Sequence, residues 1–304
     1  MVSPLIVLLK KPSHLCGSNV CILSPAKINL YLNILGKYPG GLPAGQAGYH
    51  RIESIVERIS LNDIITITTE SNPGIRICSN NKSLETKENL IVRAAELIIR
   101  RYKIPGGLSI KLEKNIPVGS GLGGGSSNAA STLIALNVLF KLKLDKKELY
   151  KLGAKLGSDV NFFLSESKFA LLKGRGEKII PLKIDKKLSH FIIWPKKCIS
   201  TKAVYDRQKA KLTKFFNSVK ILQYALARGD IALIKKSIFN VLEVEACNIC
   251  RELKRAKRYL NDKGIFAKVT GSGSALYTVE TSVSLGTFKN GLPSSWAVFK
   301  AQTF

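Results

Sequence analysis

Acidic residues are scarce in this chain: 21 Asp plus Glu stand against 48 Lys plus Arg in 304 residues, a formal net charge of +27. Such a field attracts polyanions of every kind, nucleotides and RNA included. The basic residues are spread in pairs such as Lys10-Lys11, Lys146-Lys147, Lys196-Lys197 and Lys235-Lys236. That spread speaks for steering and non-specific contact, and no specific nucleic-acid partner is expected. Cysteine is thin as well. The six (Cys16, Cys21, Cys78, Cys198, Cys247, Cys250) are too few and too scattered for a disulfide framework, and a reducing cytoplasm fits best. Cys247 and Cys250 form a CxxC, but VLEVEACNICRELKRAKRYL reads as helix and no second CxxC or His pair completes a zinc site. Long apolar runs are missing too: MVSPLIVLLKK is too short to span a bilayer or serve as a secretory core, so no membrane anchor is expected.

What is present is an ordinary globular balance, 45% hydrophobic and 23% charged residues, which excludes a disordered tail protein or a fibre. The length allows two domains of usual size. Residues 1–20 read as an N-terminal extension. From Val20, CILSPAKINLYLNILG alternates as a strand, and KYPGGLPAGQAG is a long loop ending at Tyr49-His50. DIITITTE reads as a half-buried strand, ENLIVRAAELIIRRY as a helix, and GGLSIKLEKNIPV as a strand again. NAASTLIALNVLF is a helix, Asp145 caps the next one, SDVNFF is a loop, and KFALLKGRGEKIIPL closes the first half near residue 188. HFIIWP opens the second half as a strand, two or three helices follow between Thr201 and Leu260, and the strand-like runs IFAKVT and SALYTVE come last. The economical architecture is α+β: domains over 21–188 and 189–304, with helices on mainly antiparallel sheets.

The chemistry concentrates in PVGSGLGGGSS, Pro117 to Ser127. Gly119, Gly121, Gly123, Gly124 and Gly125 stand between a strand and a long helix, where backbone N–H groups can approach an anion that side chains would keep away. The helix that follows adds the positive end of its dipole. No Lys follows the last glycine, so this is not a Walker loop. Gly119, Gly121 and Gly124 do match GxGxxG, but the preceding strand LSIKLEK alternates as a half-solvated strand does, which argues against a central parallel strand of a dinucleotide fold.

SPAKINLYL, GYH, IPVGSGLGGGSSNAAS, LGSDVNFFL and VTGSGSALY resemble, in order and spacing, the GHMP small-molecule kinases, over nearly all of the chain past residue 20. The resemblance implies a ribosomal-protein-like N-terminal domain with a left-handed β-α-β unit, a ferredoxin-like C-terminal domain, and ATP with Mg2+ between them. It assigns nucleotide binding to Pro117, Val118, Gly119, Ser120, Gly121, Leu122, Gly123, Gly124, Gly125, Ser126 and Ser127. Asp159 would take the proton from the attacking alcohol, and Lys27 would stabilise the charge in transfer. On composition alone, Asp159 reads first as a helix N-cap and Lys27 as a solvated strand lysine; the surrounding motifs reverse both. Within that family, the resemblance carried by PAKINL, GYH and GLGGGSSNAA implies a small-molecule substrate, a cytidine diphosphate-linked methylerythritol. Tyr49 would stack on the base, His50 bond its edge and Tyr205 close the sandwich, with Asn29 and Thr201 as further polar contacts. The metal ligands are unassigned, since no carboxylate cluster forms a cage; Mg2+ would be held mainly by ATP oxygens with Ser127 or a water. Three departures from the family pattern stand out: the long loop from Lys37 to Gly48, Asn161 where proline is usual, and the N-terminal extension. Two alternatives remain at this point: a homoserine- or mevalonate-type kinase of the same fold, or a non-catalytic basic RNA-binding protein.

Overall fold

A computed structural model describes residues 6–7, 19–38, 50–208, 218–279 and 284–304. In chain order the elements are β1 (Ile6–Val7), β2 (Asn19–Lys37), β3 (His50–Glu70), β4 (Gly74–Ser79), α1 (Leu90–Tyr102), β5 (Gly107–Glu113), α2 (Gly124–Leu139), α3 (Lys146–Leu156), α4 (Val160–Ser165), β6 (Phe169–Gly174), β7 (Lys178–Leu182) and β8 (Ser189–Trp194). They continue as α5 (Thr201–Arg207), α6 (Ser218–Arg228), α7 (Ile231–Ser237), β9 (Phe239–Asn240), α8 (Glu243–Ile249), α9 (Arg251–Asp262), β10 (Lys268–Val269), β11 (Leu276–Tyr277), α10 (Leu285–Lys289) and β12 (Ala297–Gln302).

An eight-stranded sheet runs β1-β2-β3-β5-β4, with β6 beside β3, β7 beside β6 and β9 beside β2. A four-stranded antiparallel sheet runs β10-β11-β8-β12. The α+β expectation therefore holds. Among the pairings with a described register, two are parallel: β4 with β5, which α1 connects, and β9 with β2. The chain divides into two compact units, each assembled from separated segments: residues 1–26, 62–116 and 124–166 form the first, and residues 27–61, 117–123 and 167–304 the second.

In the first unit, local chemistry sets the helix ends. Asn89 caps α1 by accepting from Ile91 N at 2.9 Å, and Lys103 ends it in the left-handed region. Ile91, Val92, Ala94, Ala95 and Ile98 form its buried stripe. Asp145 caps α3 as expected, accepting from Glu148 N at 2.7 Å. Helix α2 is buried on every side from Ser127 to Leu136, which accounts for its small and apolar residues. In the second unit a core joins Phe191 and Ile193 of β8 to Leu253, Ala256 and Leu260 of α9 and to Leu32 and Ile34 of β2.

Several expectations need correction. SDVNFF is not loop throughout, because Val160–Ser165 forms α4. Five helices rather than two or three lie in the described chain between Thr201 and Asp262. The CxxC does not lie within one helix: α8 ends at Ile249, and Cys250 caps α9 through its sulfur, which accepts from Leu253 N at 3.4 Å. The KFALLKGRGEKIIPL run is a hairpin of β6 and β7, and the last two strand-like runs contract to two paired residues each. Part of residues 1–20 belongs to the sheet: Ile6 pairs with Ile22 and Val7 with Cys21, while β2 itself begins at Asn19. The long loop after Lys37, Tyr49 included, lies outside the described residues from 39 to 49.

Candidate active site

In the second unit the glycine loop is held by backbone bonds from three segments. Lys27 N on β2 donates to Leu122 O at 2.9 Å, Ala275 N to Ser120 O at 2.9 Å, and Ile199 N to Gly119 O at 3.2 Å. Ser120 Oγ turns back to Pro117 O at 2.6 Å, and Cys198 Sγ donates to Val118 O at 3.0 Å. Gly121 has φ +82°, and a Cβ there would overlap the Thr270 carbonyl oxygen and come within 3.1 Å of Gly273 N and O. Only glycine allows this approach of two backbones. The glycine loop is thus a fixed backbone shape, set by these bonds and by the close approach at Gly121.

Lys27 is not a solvated strand lysine. It is 6% exposed, and its ammonium donates to Asn29 Oδ1. Asn29 is held at every polar group: its N–H donates to Thr270 Oγ1 at 3.0 Å, Nδ2 to Ser54 Oγ at 2.9 Å, and its carbonyl accepts from Tyr277 OH at 3.0 Å. Gly271 faces both: a Cβ there would lie 3.3 Å from Lys27 Nζ and 3.2 Å from Asn29 Oδ1. The segment 269–271 is itself anchored by Asn240 Nδ2, which donates to Val269 O and Gly271 O at 2.8 Å each.

The base-recognition candidates are also brought together in part. The His50 and Tyr205 rings lie 5.3 Å apart at 44°. His50 is 9% exposed and its Nε2 finds no hydrogen-bond partner among the described residues. Burial, then the charge of Lys37, lowers its pKa against an opposing pull from Asp206, so the ring stays neutral near pH 7. A neutral, unpartnered nitrogen is suited to bonding a ligand. Thr201 stands at the start of α5, its hydroxyl 2.9 Å from Ser272 Oγ.

In the first unit, α2 begins at Gly124. Ser127 is fully buried and accepts from Ser24 Oγ at 2.9 Å; Asn128 Nδ2 donates to Ser24 Oγ and to Asp63 Oδ2, each at 2.9 Å. Asp63, fully buried, also accepts from Lys114 Nζ at 2.6 Å and from Asn115 N and Ile116 N at 2.7 and 2.8 Å. Burial pushes the Lys114 ammonium pKa down, and the Asp63 carboxylate opposes that. A Cβ on Gly124 would reach Lys114 Nζ at 2.9 Å, so this cation sits beside the first turn of α2. Asp159 occupies the N-cap position of α4 yet makes no capping bond, since its own backbone is already helical. The cap reading therefore fails, and the carboxylate is left uncommitted to the helix. Nearby Asn161 has a buried Oδ1 without a partner among the described residues.

Asp63, Lys114, Ser24 and Asn128 were missed by sequence reasoning. Asp63 had a usable signal, being one of few acids and standing directly before the apolar strand residues Ile64 and Ile65. Lys114 had none among so many lysines. In the CxxC, burial pushes the Cys247 thiol up to about 11, and the Cys250 sulfur is taken up in capping α9.

Comparison with known proteins adds the following. Residues 89–166 match the family described as GHMP kinases N terminal domain, and residues 222–296 match GHMP kinases C terminal. A protein of Polynucleobacter asymbioticus named 4-diphosphocytidyl-2-C-methyl-D-erythritol kinase is 34% identical over 284 residues, covering 91% of each chain. One of the same name from Acinetobacter baylyi is 37% identical over 262 residues, covering 86% of this chain and 87% of that one. The crystal structure of a 4-(cytidine 5'-diphospho)-2C-methyl-D-erythritol kinase superposes with TM-score 0.75 at 29% identity, covering 93% and 98% of the two chains. The homoserine kinase of Cytophaga hutchinsonii, with TM-score 0.66 and 17% identity over 96% of each chain, shares the fold. Fold, glycine loop and relatives define an ATP-dependent small-molecule kinase. Within that class, the chain belongs to the GHMP kinases.

Proposed function

We propose that this kinase transfers the γ-phosphate of ATP to the 2-hydroxyl of 4-diphosphocytidyl-2-C-methyl-D-erythritol, a step of the non-mevalonate route to isoprenoid precursors. The naming of relatives that match along most of the chain supports this substrate. The structural observation that carries the chemistry is Lys27. It is a buried cation on a strand whose N–H bonds the glycine loop and whose ammonium rests on Asn29. A cation held there, out of bulk water, stabilises the charge that develops as the phosphoryl group moves. Asp159 accepts the proton of the attacking hydroxyl; the alcohol oxygen bonds to the γ-phosphorus, and ADP departs with the bond that breaks. The loop Pro117–Ser127 holds the nucleotide phosphates. Tyr49, His50 and Tyr205 take the cytosine, with Asn29 and Thr201 on the rest of the substrate.

Mg2+ would neutralise phosphate charge. Ser127, buried and bonded to Ser24, presents no hydroxyl to solvent, so the donor set fits a cation held by nucleotide oxygens and water. We assign the ATP-binding domain to 21–188 and the C-terminal domain to 189–304; the two family matches fall on either side of that cut. A cytoplasmic location is supported by the free cysteines among the described residues, no helix of which is long and apolar enough to cross a membrane.

The test is ADP release with the cytidyl alcohol as acceptor, with homoserine and mevalonate as controls. Turnover with the cytidyl substrate alone, lost in Asp159→Ala while ATP still binds, is expected. Turnover with a control alcohol instead would move the protein to another branch of the family.

A further inference from the structure

Glu57 on β3 and His190 on β8 form a fully buried pair that the proposed chemistry does not use. His190 Nδ1 lies 2.9 Å from Thr278 O, a pure acceptor, so Nδ1 carries a hydrogen. Nε2 faces both Glu57 oxygens, at 3.1 and 3.0 Å, and Thr303 Oγ donates to Glu57 Oε1 at 2.6 Å. A buried ion pair is rarely more stabilising than apolar side chains of the same size, so its use is sought in what it holds. It holds the backbone next to Tyr277: Thr278 O takes His190 Nδ1, Thr278 Oγ accepts from Phe191 N at 3.2 Å, and the His190 ring meets the Tyr277 ring edge-on at 6.1 Å. Tyr277, buried, donates its hydroxyl to Asn29 O, and Asn29 Oδ1 receives the Lys27 ammonium. Ser54, three residues before Glu57 on the same strand, takes the other end of the same amide. Four strands thus converge on one lysine through an unbroken series of directional contacts.

We propose that Glu57 and His190 are positioning residues for Lys27, acting through Tyr277 and Asn29. The proposal rests on the reading of Lys27 as the cation of phosphoryl transfer. Phosphoryl transfer depends on placement more than on covalent chemistry, so a displaced ammonium lowers turnover without weakening substrate binding.

Tyr277→Phe removes one hydroxyl and leaves the ring; Glu57→Gln removes the charge and leaves the shape. Turnover per folded active site, counted by nucleotide titration, is expected to fall about tenfold in each, the scale of one hydrogen bond, with both KM values within about twofold. The double variant is expected to lose no more than the worse single, because both act along one series of contacts. Unchanged kcat per folded site, or losses that multiply, would overturn the proposal. Should Glu57→Gln fail to fold, Thr303→Val, which removes the hydroxyl that donates to Glu57 and also accepts from Leu188 N, takes its place, with the same expectations for turnover per folded site. Full turnover in Lys27→Ala would overturn both this proposal and the reading beneath it. An inactive Lys27→Ala beside an unaffected Tyr277→Phe would overturn positioning alone.

Discussion

Replacing Gly121 by alanine tests the shape of the glycine loop in isolation. Two costs arise. A side chain at φ +82° incurs the left-handed penalty of about 1–2 kcal/mol, partly offset by about 0.4–1 kcal/mol from a stiffer unfolded chain. The new methyl group also overlaps the Thr270 carbonyl oxygen, a rigid backbone atom, and sits 3.1 Å from Gly273 N and O; overpacking of this kind costs about 1–3 kcal/mol. Gly264 supplies the control, since its φ is +70° and nothing lies within 4 Å of a Cβ there. Gly264→Ala should cost about 1 kcal/mol and Gly121→Ala about 3 kcal/mol, the difference belonging to the collision. Urea unfolding with matched m values measures both. Isothermal titration with a non-hydrolysable ATP analogue should show at least a tenfold loss for Gly121→Ala and none for Gly264→Ala. Equal stability costs in the two variants, or undiminished nucleotide affinity in Gly121→Ala, would refute the argument that backbone contact dictates this glycine.

Asp63→Ala leaves the Lys114 ammonium buried without its partner and should destabilise the protein by roughly 3–5 kcal/mol, read as a fall in Tm. For His190, burial alone would lower the pKa, but the Glu57 carboxylate and the hydrogen bonds override it and the net shift is upward. The stability it contributes is full below the unfolded value near 6.5 and is lost as pH rises through the folded pKa. Tm against pH should therefore decline on that side, and His190→Gln should flatten the decline. His50 has the opposite sign: its pKa is lowered, so its contribution is present above 6.5 and disappears as pH falls through the folded value. Its ring protons, followed by NMR, should titrate below pH 6.5.

Local signals in the sequence were reliable where one residue decides a conformation. Asp145 announced the start of α3, and the glycines of 119–125 announced a loop that takes positive φ at Gly119, Gly121 and Gly123, because capping and positive φ are properties of single positions. Helix α4 was missed since six residues are too few to show a period, and the break at Cys250 was missed because the residues around it favour helix on both sides. The Ser24, Asp63, Lys114 and Asn128 network could not be seen, as its members lie up to 104 positions apart and meet only when the strands and α2 pack. Lys27 and Asp159 owed their prominence to resemblance. What the structure adds is that one is buried in a bonded frame and the other makes no cap.

The pairing of Ile6–Val7 with Cys21–Ile22 has a practical consequence. On the side of β2 away from β3, β1 covers the stretch near Cys21 and β9 covers Tyr31–Leu32. A chain shortened to begin at residue 19 would leave the first stretch as an open strand edge, with amide and carbonyl groups free to recruit another molecule. Anyone trimming the first residues to improve solubility would thus be uncovering an adhesive seam.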